Sequence, residues 1–160
     1  MISTADLLDT HGDEAAVCDA PLRQFGGVHA FGGEIATVRA TEDNVLVKQR
    51  VSEPGGGRVL VVDGGASRRC ALLGDNIAGL ALANGWAGVV INGCVRDSAA
   101  LAGLALGVTA LGTNPRASGK AGTGEIDVPV TFGGVTFRPG SMIASDEDGV
   151  VVIDAAAAAA

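Results

Sequence analysis

Arg58-Val59-Leu60-Val61-Val62-Asp63-Gly64-Gly65, then Asp75-Asn76-Ile77-Ala78-Gly79-Leu80-Ala81-Leu82-Ala83-Asn84-Gly85, then Ala87-Gly88-Val89-Val90-Ile91 are three runs whose order decides the fold. The first and third contain short apolar stretches, the pattern of strands buried on both faces. Between them Ile77, Leu80, Ala81 and Ala83 recur at helical spacing, and Gly85 stands just beyond, where helices commonly close. Strand, helix and strand in that order predict a β-α-β unit with parallel strands.

Outward from this unit the same reading continues. Upstream, Asn44 to about Val51 has apolar residues at helical spacing, and Pro54-Gly55-Gly56-Gly57 stops it. Glu34 to Arg39 alternates as a half-buried strand, approached through Gly26-Gly27 and Gly32-Gly33. Ser3 with Asp6 resembles a capping box for a short helix through about Leu8, broken by His11-Gly12-Asp13. Downstream, Ser98 to about Leu106 is expected as a helix and Val108 to Leu111 as a strand. After Pro115, short strands are expected at Val128 to Phe132, Val135 to Phe137, Ser141 to Ala144 and Val150 to Ile153, joined by Gly-Gly, Pro-Gly and Asp-Gly turns. The expected fold class is α/β: one domain over 1–154, a central β-α-β unit followed by a mixed or antiparallel β-rich part. Ala155 to Ala160 is expected as a frayed tail.

With 160 residues, such a domain buries roughly two-thirds of the surface of its unfolded chain. Only 3% of residues are aromatic, so Val, Leu, Ala and Ile must fill the core against close backbone contacts, which 25 glycines permit. A net charge of −7 has the wrong sign for a phosphate backbone and argues against direct nucleic-acid binding. Nine of the basic residues are Arg and only Lys48 and Lys120 are Lys, so the arginines are candidates for carboxylate recognition. Cys18, Cys70 and Cys94 fit neither a disulfide framework nor a zinc spacing, which points to a reducing, cytoplasmic setting. No export signal and no membrane-length apolar run is read.

A β-α-β unit puts the carboxyl ends of its strands at one sheet edge, where ligands commonly bind. Asp75 opens the helix after the first strand, and Arg96 and Asp97 follow the second, so the three can converge there. Asp97 can ligate a hard divalent cation, and Arg96 can grip the oxygens of a keto acid with a planar fork. Gly74 lets the backbone approach, and the N–H groups of Asn76 and Ile77 add an anion pocket. The same residues equally read as helix caps at Asp75 and Asp97 and a solvated charge at Arg96, and spacing alone leaves both accounts open.

Gly74-Asp75, twenty intervening residues and Arg96-Asp97 together resemble the site motif of the class II 4-hydroxy-4-methyl-2-oxoglutarate aldolase and RraA-like family. Gln24 to Gly27, Arg58 to Gly65, Gly112 to Arg116 and Phe132 to Gly140 are also similar to RraA-like chains. The resemblance covers about Thr4 to Ile153. It implies a swivelling β/β/α fold and a homotrimer with sites near subunit boundaries. It further implies Gly74, Asp75, Asn76, Ile77 and Arg96 around a 2-keto acid, with Asp97 ligating Mg²⁺ or Mn²⁺ and Asp75 orienting a water. The cation and Arg96 would share developing enolate charge. The implied reactions are oxaloacetate decarboxylation and retro-aldol cleavage of 4-hydroxy-4-methyl-2-oxoglutarate to pyruvate. Full aldolases of the family use a further acid from an extended C-terminal part, whereas this chain ends in alanines after Asp154, which ranks decarboxylation first. The alternative is a non-catalytic regulator that binds ribonuclease E.

Other signals are weaker. Val62 to Ser67 lacks the third glycine of a dinucleotide fingerprint, and Gly112 to Lys120 has the wrong spacing for a phosphate loop. No convincing adenosylmethionine loop is present. His11 and His29 read as surface polar groups, the cysteines as small buried apolar residues, Trp86 as a packing anchor and Asp146-Glu147-Asp148-Gly149 as an acidic turn.

Overall fold

The computed structural model describes residues 3–154, so the expected alanine tail lies outside the described residues. Helix α1 (Thr4–His11) leads through a 3-10 turn into strands β1 (Ala15–Val17), β2 (Arg23–Gln24) and β3 (Phe31–Arg39). Next come α2 (Val45–Val51), β4 (Val59–Asp63), β5 (Ala71–Leu73), α3 (Asp75–Ala83), β6 (Gly88–Val95), α4 (Ser98–Leu101) and β7 (Gly107–Thr113). Strands β8 (Glu125–Ile126), β9 (Val130–Phe132), β10 (Val135–Phe137), β11 (Met142–Asp146) and β12 (Gly149–Ile153) follow.

The β-α-β unit is present: β4 and β6 pair in parallel, with Val59 opposite Gly88 and Asp63 opposite Asn92. Strands β3, β4, β6 and β7 form a parallel centre in that spatial order. Because the order runs one way, crossovers of one hand place α2, α3 and α4 on one face. Val47, Val51, Ile77, Ala78, Ala81 and Leu101 from those helices accordingly pack on Leu60, Val62, Val89 and Ile91. The alternate residues Val59, Val61 and Val90 face the other way, against the β9–β10 hairpin and β11–β12, with Phe132 and Phe137 stacked. The result is the expected β/β/α layering of an α/β fold. Antiparallel β11 joins the first half of β3, and Gln24 Nε2 on β2 donates to Ser145 Oγ and the Asp146 carbonyl, both at 3.0 Å. That contact draws the two arms of the sheet together.

Several boundaries differ from expectation. The helix expected over Ser98 to Leu106 is a single turn, Ser98–Leu101. Its continuation is diverted: the Leu104 and Leu106 carbonyls accept from Gly27 and Val28 N–H at 2.9 and 3.3 Å. Gly26 and Gly27 are required there, because a Cβ on either would lie within 2.3 Å of those carbonyl oxygens. Strand β6 runs past Ile91 to Val95 through an irregularity between Ile91 and Cys94, and β5 adds a strand the sequence did not suggest. Helix α1 extends to His11, with the Ser3 hydroxyl accepting from Asp6 N–H at 3.1 Å. Trp86 is the packing anchor expected, buried with its Nε1 donating to the Glu53 carbonyl at 3.0 Å.

Candidate active site

The site forms where β5 and β6 end side by side. Their parallel register sets Leu73 opposite Val95, and Arg96 N–H donates to the Leu73 carbonyl at 2.9 Å. Gly74 and the pair Arg96-Asp97 therefore leave the sheet as neighbours. Asp97 then takes a left-handed backbone conformation, φ 58° and ψ 40°, unusual for a residue with a side chain. This turn aims its carboxylate across to α3, where Oδ2 accepts from Asp75 N–H at 3.0 Å. A Cβ at position 74 would sit 2.5 Å from that same Oδ2 and 3.2 Å from Arg96 Cγ, so glycine is a condition of the arrangement.

The capping account now has a different answer for each aspartate. Gly74, not Asp75, is the N-cap of α3, and Asp75 occupies the first helical position with an exposed side chain. Asp97 stands at the N-cap of α4 but makes no side-chain bond to that helix. It caps α3 instead, from the neighbouring strand. The Asp75 N–H, assisted by the charge of Arg96, holds the Asp97 carboxyl below the ordinary aspartate value, against a smaller opposing effect of burial. Asp97 is thus an ionised, fixed carboxylate at the start of a helix.

These groups line a cleft of about 640 Å³ together with Asn76 and Ile77, so the structure brings all six sequence-predicted site residues to one place. The opposite lining was not foreseen: Asn44, Lys48 and Ser52 on or beside α2, and Ser118 and Lys120 on the loop between β7 and β8. That loop is pinned by Asp43, whose buried carboxylate accepts from Ala121, Gly122 and Val45 N–H at 2.6, 3.1 and 3.1 Å. Burial pushes the Asp43 carboxyl up, but these backbone donors together outweigh it and leave it below the ordinary value. Lys120 Nζ donates to Asn44 Oδ1 at 2.5 Å, tying loop to helix. Both lysines of the chain thus converge on one cleft, a coincidence visible in the composition but without a sequence period to connect them.

The family model RraA-like (Aldolase/RraA) matches residues 4–152. This chain belongs to the RraA-like family. The RraA-like chain is similar to a solved structure described as S-adenosylmethionine: 2-dimethylmenaquinone methyltransferase from Geobacillus kaustophilus HTA426. Identity is 50%, the TM-score is 0.94, and 96% of this chain and 95% of that one are covered. It is also similar to the RNA-processing inhibitor RraA from Thermus thermophilis, at 44% identity and TM-score 0.92, over 96% of this chain and 93% of that one. RraAS2 of Streptomyces coelicolor, described as an unusual member of the RNase ES inhibitor RraA family, matches at 25% identity and TM-score 0.77, covering 97% and 82%.

The donor set of the RraA-like cleft fits a hard cation that keeps its own waters. Asp97 offers an ionised carboxylate with one oxygen committed to Asp75 N–H, and the Asp75 side chain is an exposed second carboxylate beside it. Among the described residues no three His, Cys, Asp or Glu side chains cluster as a closed metal cage, which argues against a structural zinc-type site. Other titratable groups have structural roles. Asp146 accepts from Thr4 N–H at 2.8 Å, Thr4 Oγ1 at 2.7 Å and Asp148 N–H at 3.0 Å, the acidic turn expected. Cys18, Cys70 and Cys94 are buried and free.

Proposed function

We propose that this RraA-like protein is a divalent-metal-dependent lyase of 2-keto acids, decarboxylating oxaloacetate and, beside that, cleaving 4-hydroxy-4-methyl-2-oxoglutarate. The observation that carries the reading is Asp97: an ionised carboxylate in a strained left-handed conformation, locked to Asp75 N–H beside Arg96, over a glycine whose Cβ would collide with it. Backbone strain of this kind is held at functional sites when its surroundings over-determine it.

Asp97, with Asp75 nearby, would hold Mg²⁺ or Mn²⁺, which when bound supplies Lewis acidity toward the keto oxygen. Arg96 binds the adjacent carboxylate through its guanidinium fork. The Asn76 and Ile77 N–H groups, in the first turn of α3 where intrahelical acceptors are lacking, add positive potential for the same anion. In oxaloacetate the C3–C4 bond breaks, carbon dioxide leaves, and the electron pair moves toward the C2 carbonyl. Arg96 is placed to stabilise the resulting pyruvate enolate. Asp75 orients the water that returns a proton to C3.

A regulator of ribonuclease E is the second reading, supported by the 44% identity to an RNA-processing inhibitor and by a charge of −7 that suits a basic partner. Such a role needs neither Asp97 nor Arg96. A methyltransferase reading finds less support, because the glycine turns are filled by protein. A Cβ on Gly64 would meet Leu72 Cδ1 at 2.6 Å and the Asn92 carbonyl at 2.8 Å, and Gly133-Gly134 turns the β9–β10 hairpin. The homotrimer implied by the family, and a reducing cytoplasmic location suited to three free cysteines, belong to the same proposal.

The test is the rate of oxaloacetate decarboxylation with Mg²⁺ or Mn²⁺, corrected for the metal alone. Asp97→Ala and Arg96→Ala should each remove most of the protein-dependent rate. Equal rates in wild type and both variants overturn the enzyme reading, and a ribonuclease E pull-down at micromolar protein then decides the regulator.

A further inference from the structure

We infer that the protein carries a second ligand site, separate from the Arg96–Asp97 cleft and built for an α-amino acid with an apolar side chain. A cavity of about 550 Å³ opens among Asp19, Pro21, Arg68, Asn92, Leu111 and Phe132, and it shares no lining residue with the first cleft. Strand alternation places it on the other side of the sheet. Asn92 follows Val90 by two positions, and Leu111 follows Ala110, which packs on the helix side, so both face the β9–β10 hairpin. They lie near the carboxyl ends of the parallel strands, where ligands of such sheets commonly bind. The inference does not depend on the keto-acid reading.

The walls are preformed. Asp19 N–H donates to the Gly133 carbonyl at 2.8 Å, and a Cβ on Gly133 would lie 2.5 Å from Cys18 Sγ, so the hairpin tip is tied to the segment after β1. On the strand side Ala66 is held in the left-handed region, φ 61°, with its N–H donating to the Asn92 carbonyl at 3.2 Å. Strain of this kind persists where the surroundings over-determine it. Three polar groups then remain for a ligand. Asn92 is only 6% exposed, and its Nδ2 donates to Asp63 Oδ1 at 3.0 Å, which fixes the amide and leaves its Oδ1 without a partner among the described residues. Arg68 Nη2 donates to the Leu111 carbonyl at 3.1 Å, and a Cβ on Gly112 would lie 2.7 Å from Nη1, so the guanidinium is held against the end of β7. Unlike Arg39, Arg50 and Arg69, it has no carboxylate partner among the described residues. Asp19 Oδ2 stands beside Gly134 at the hairpin tip and likewise has no hydrogen-bond or ion-pair partner among the described residues. A simple anion would meet Asp19 here, and a simple cation would meet Arg68. A ligand that is neutral overall but carries both charges satisfies the pair: the carboxylate on the guanidinium fork, the ammonium donating to Asp19 and Asn92 Oδ1, and the side chain against Pro21, Leu111 and Phe132.

The experiment is calorimetric titration of the full chain, without added metal, using L-phenylalanine, 3-phenylpropanoate and 2-phenylethylamine. The second lacks the ammonium, the third lacks the carboxylate, and none has a keto group. Wild type should bind L-phenylalanine roughly tenfold more tightly than either analogue, in keeping with one hydrogen bond to a charged group lost in each. Arg68→Met should bring L-phenylalanine down to the affinity of 2-phenylethylamine, and Asp19→Asn should bring it down to that of 3-phenylpropanoate. The Asp19 side chain has no partner to lose, so that variant tests the site with the fold intact. Asp97→Ala should leave all three affinities as in wild type. Absence of L-phenylalanine binding at millimolar ligand, equal affinity for the three ligands, or a preference that survives in either variant overturns the site. Loss of binding in Asp97→Ala moves the ligand to the first cleft and overturns it as well.

Discussion

Gly74→Ala separates the site from the fold more cleanly than removal of any charged group. Gly74 has φ −129° and ψ −162°, extended backbone that alanine adopts without strain. Its Cβ would be built 2.5 Å from Asp97 Oδ2, against the 3.4 Å at which ordinary contact begins, so the carboxylate must retreat by about 0.9 Å. The neighbouring Arg96 Cγ at 3.2 Å must give by less. Asp97 cannot retreat and keep its bond to Asp75 N–H at 3.0 Å, because that bond and the left-handed turn fix the carboxylate from both ends.

A displacement near 1 Å of a group that positions the reacting centre costs about 100-fold in rate. Stability should suffer less: the poorer N-cap and the lost Asp97–Asp75 bond cost about 1 kcal/mol each, together roughly 4–8 °C in melting temperature for a domain of this size. Metal-dependent decarboxylation of oxaloacetate and a thermal melt are measured on the same preparation. The double variant with Asp97→Ala, which removes the colliding carboxylate, should melt below Asp97→Ala by no more than the roughly 2–4 °C of the N-cap difference and gain nothing in activity. Gly74→Ala within twofold of wild-type rate would refute the reasoning, since the carboxylate would then be shown to have room or no role.

Asp97→Asn keeps a residue type that tolerates the left-handed region and an oxygen that can accept from Asp75 N–H, but loses the charge. Its melting temperature should stay within about 3 °C of wild type while the metal-dependent rate disappears, as followed by pyruvate release. Arg50→Ala strips a cation with only 10% of its side chain exposed from Glu53, Asp127 and the Trp86 face. It should cost about 2 kcal/mol in urea unfolding with the catalytic rate unchanged at saturation. Asp43 and Asp146 both have depressed folded values, so the stability they contribute is present above the ordinary aspartate value of about 3.9 and is lost as pH falls through the folded values. A double Asp43→Asn, Asp146→Asn variant should be weaker at neutral pH and show a flatter acid limb in circular dichroism.

The parallel centre was legible because a strand buried on both faces reads as an unbroken apolar run, as residues 59–62 and 89–91 do. Gly74, Asp75, Arg96 and Asp97 were legible as a group because strand ends share an edge. What hid their geometry is tertiary. Asn92-Gly93-Cys94 has the composition of a turn, yet it continues β6 through an irregularity because Leu72 and the Ser67 carbonyl close over Gly93. Residues 71–73 are too few to show a period, and become a strand only by docking on β6. The single-turn α4 reflects carbonyls taken by a distant loop, which no local propensity reports. Lys48 and Lys120 lie 72 positions apart in sequence on a helix and a loop, brought together by Asp43, whose partners are backbone N–H groups that carry no residue-type signature.

The crossed capping at Asp97 bears on which reading of the protein is right. A helix that only needs its first N–H satisfied is served by serine or aspartate at its own N-cap, at no cost in backbone strain. Here α3 has glycine at that position and borrows a carboxylate from the next strand, which must enter the left-handed region to deliver it. Each half makes sense only with the other: glycine at 74 makes room for the carboxylate, and the carboxylate supplies the cap that glycine lacks. For stability alone this is a worse solution than a local cap. For binding a cation beside Arg96 it is a better one, because a carboxylate fixed at one oxygen loses little freedom when the other takes a ligand. A surface that only contacted another protein would gain nothing from that fixation.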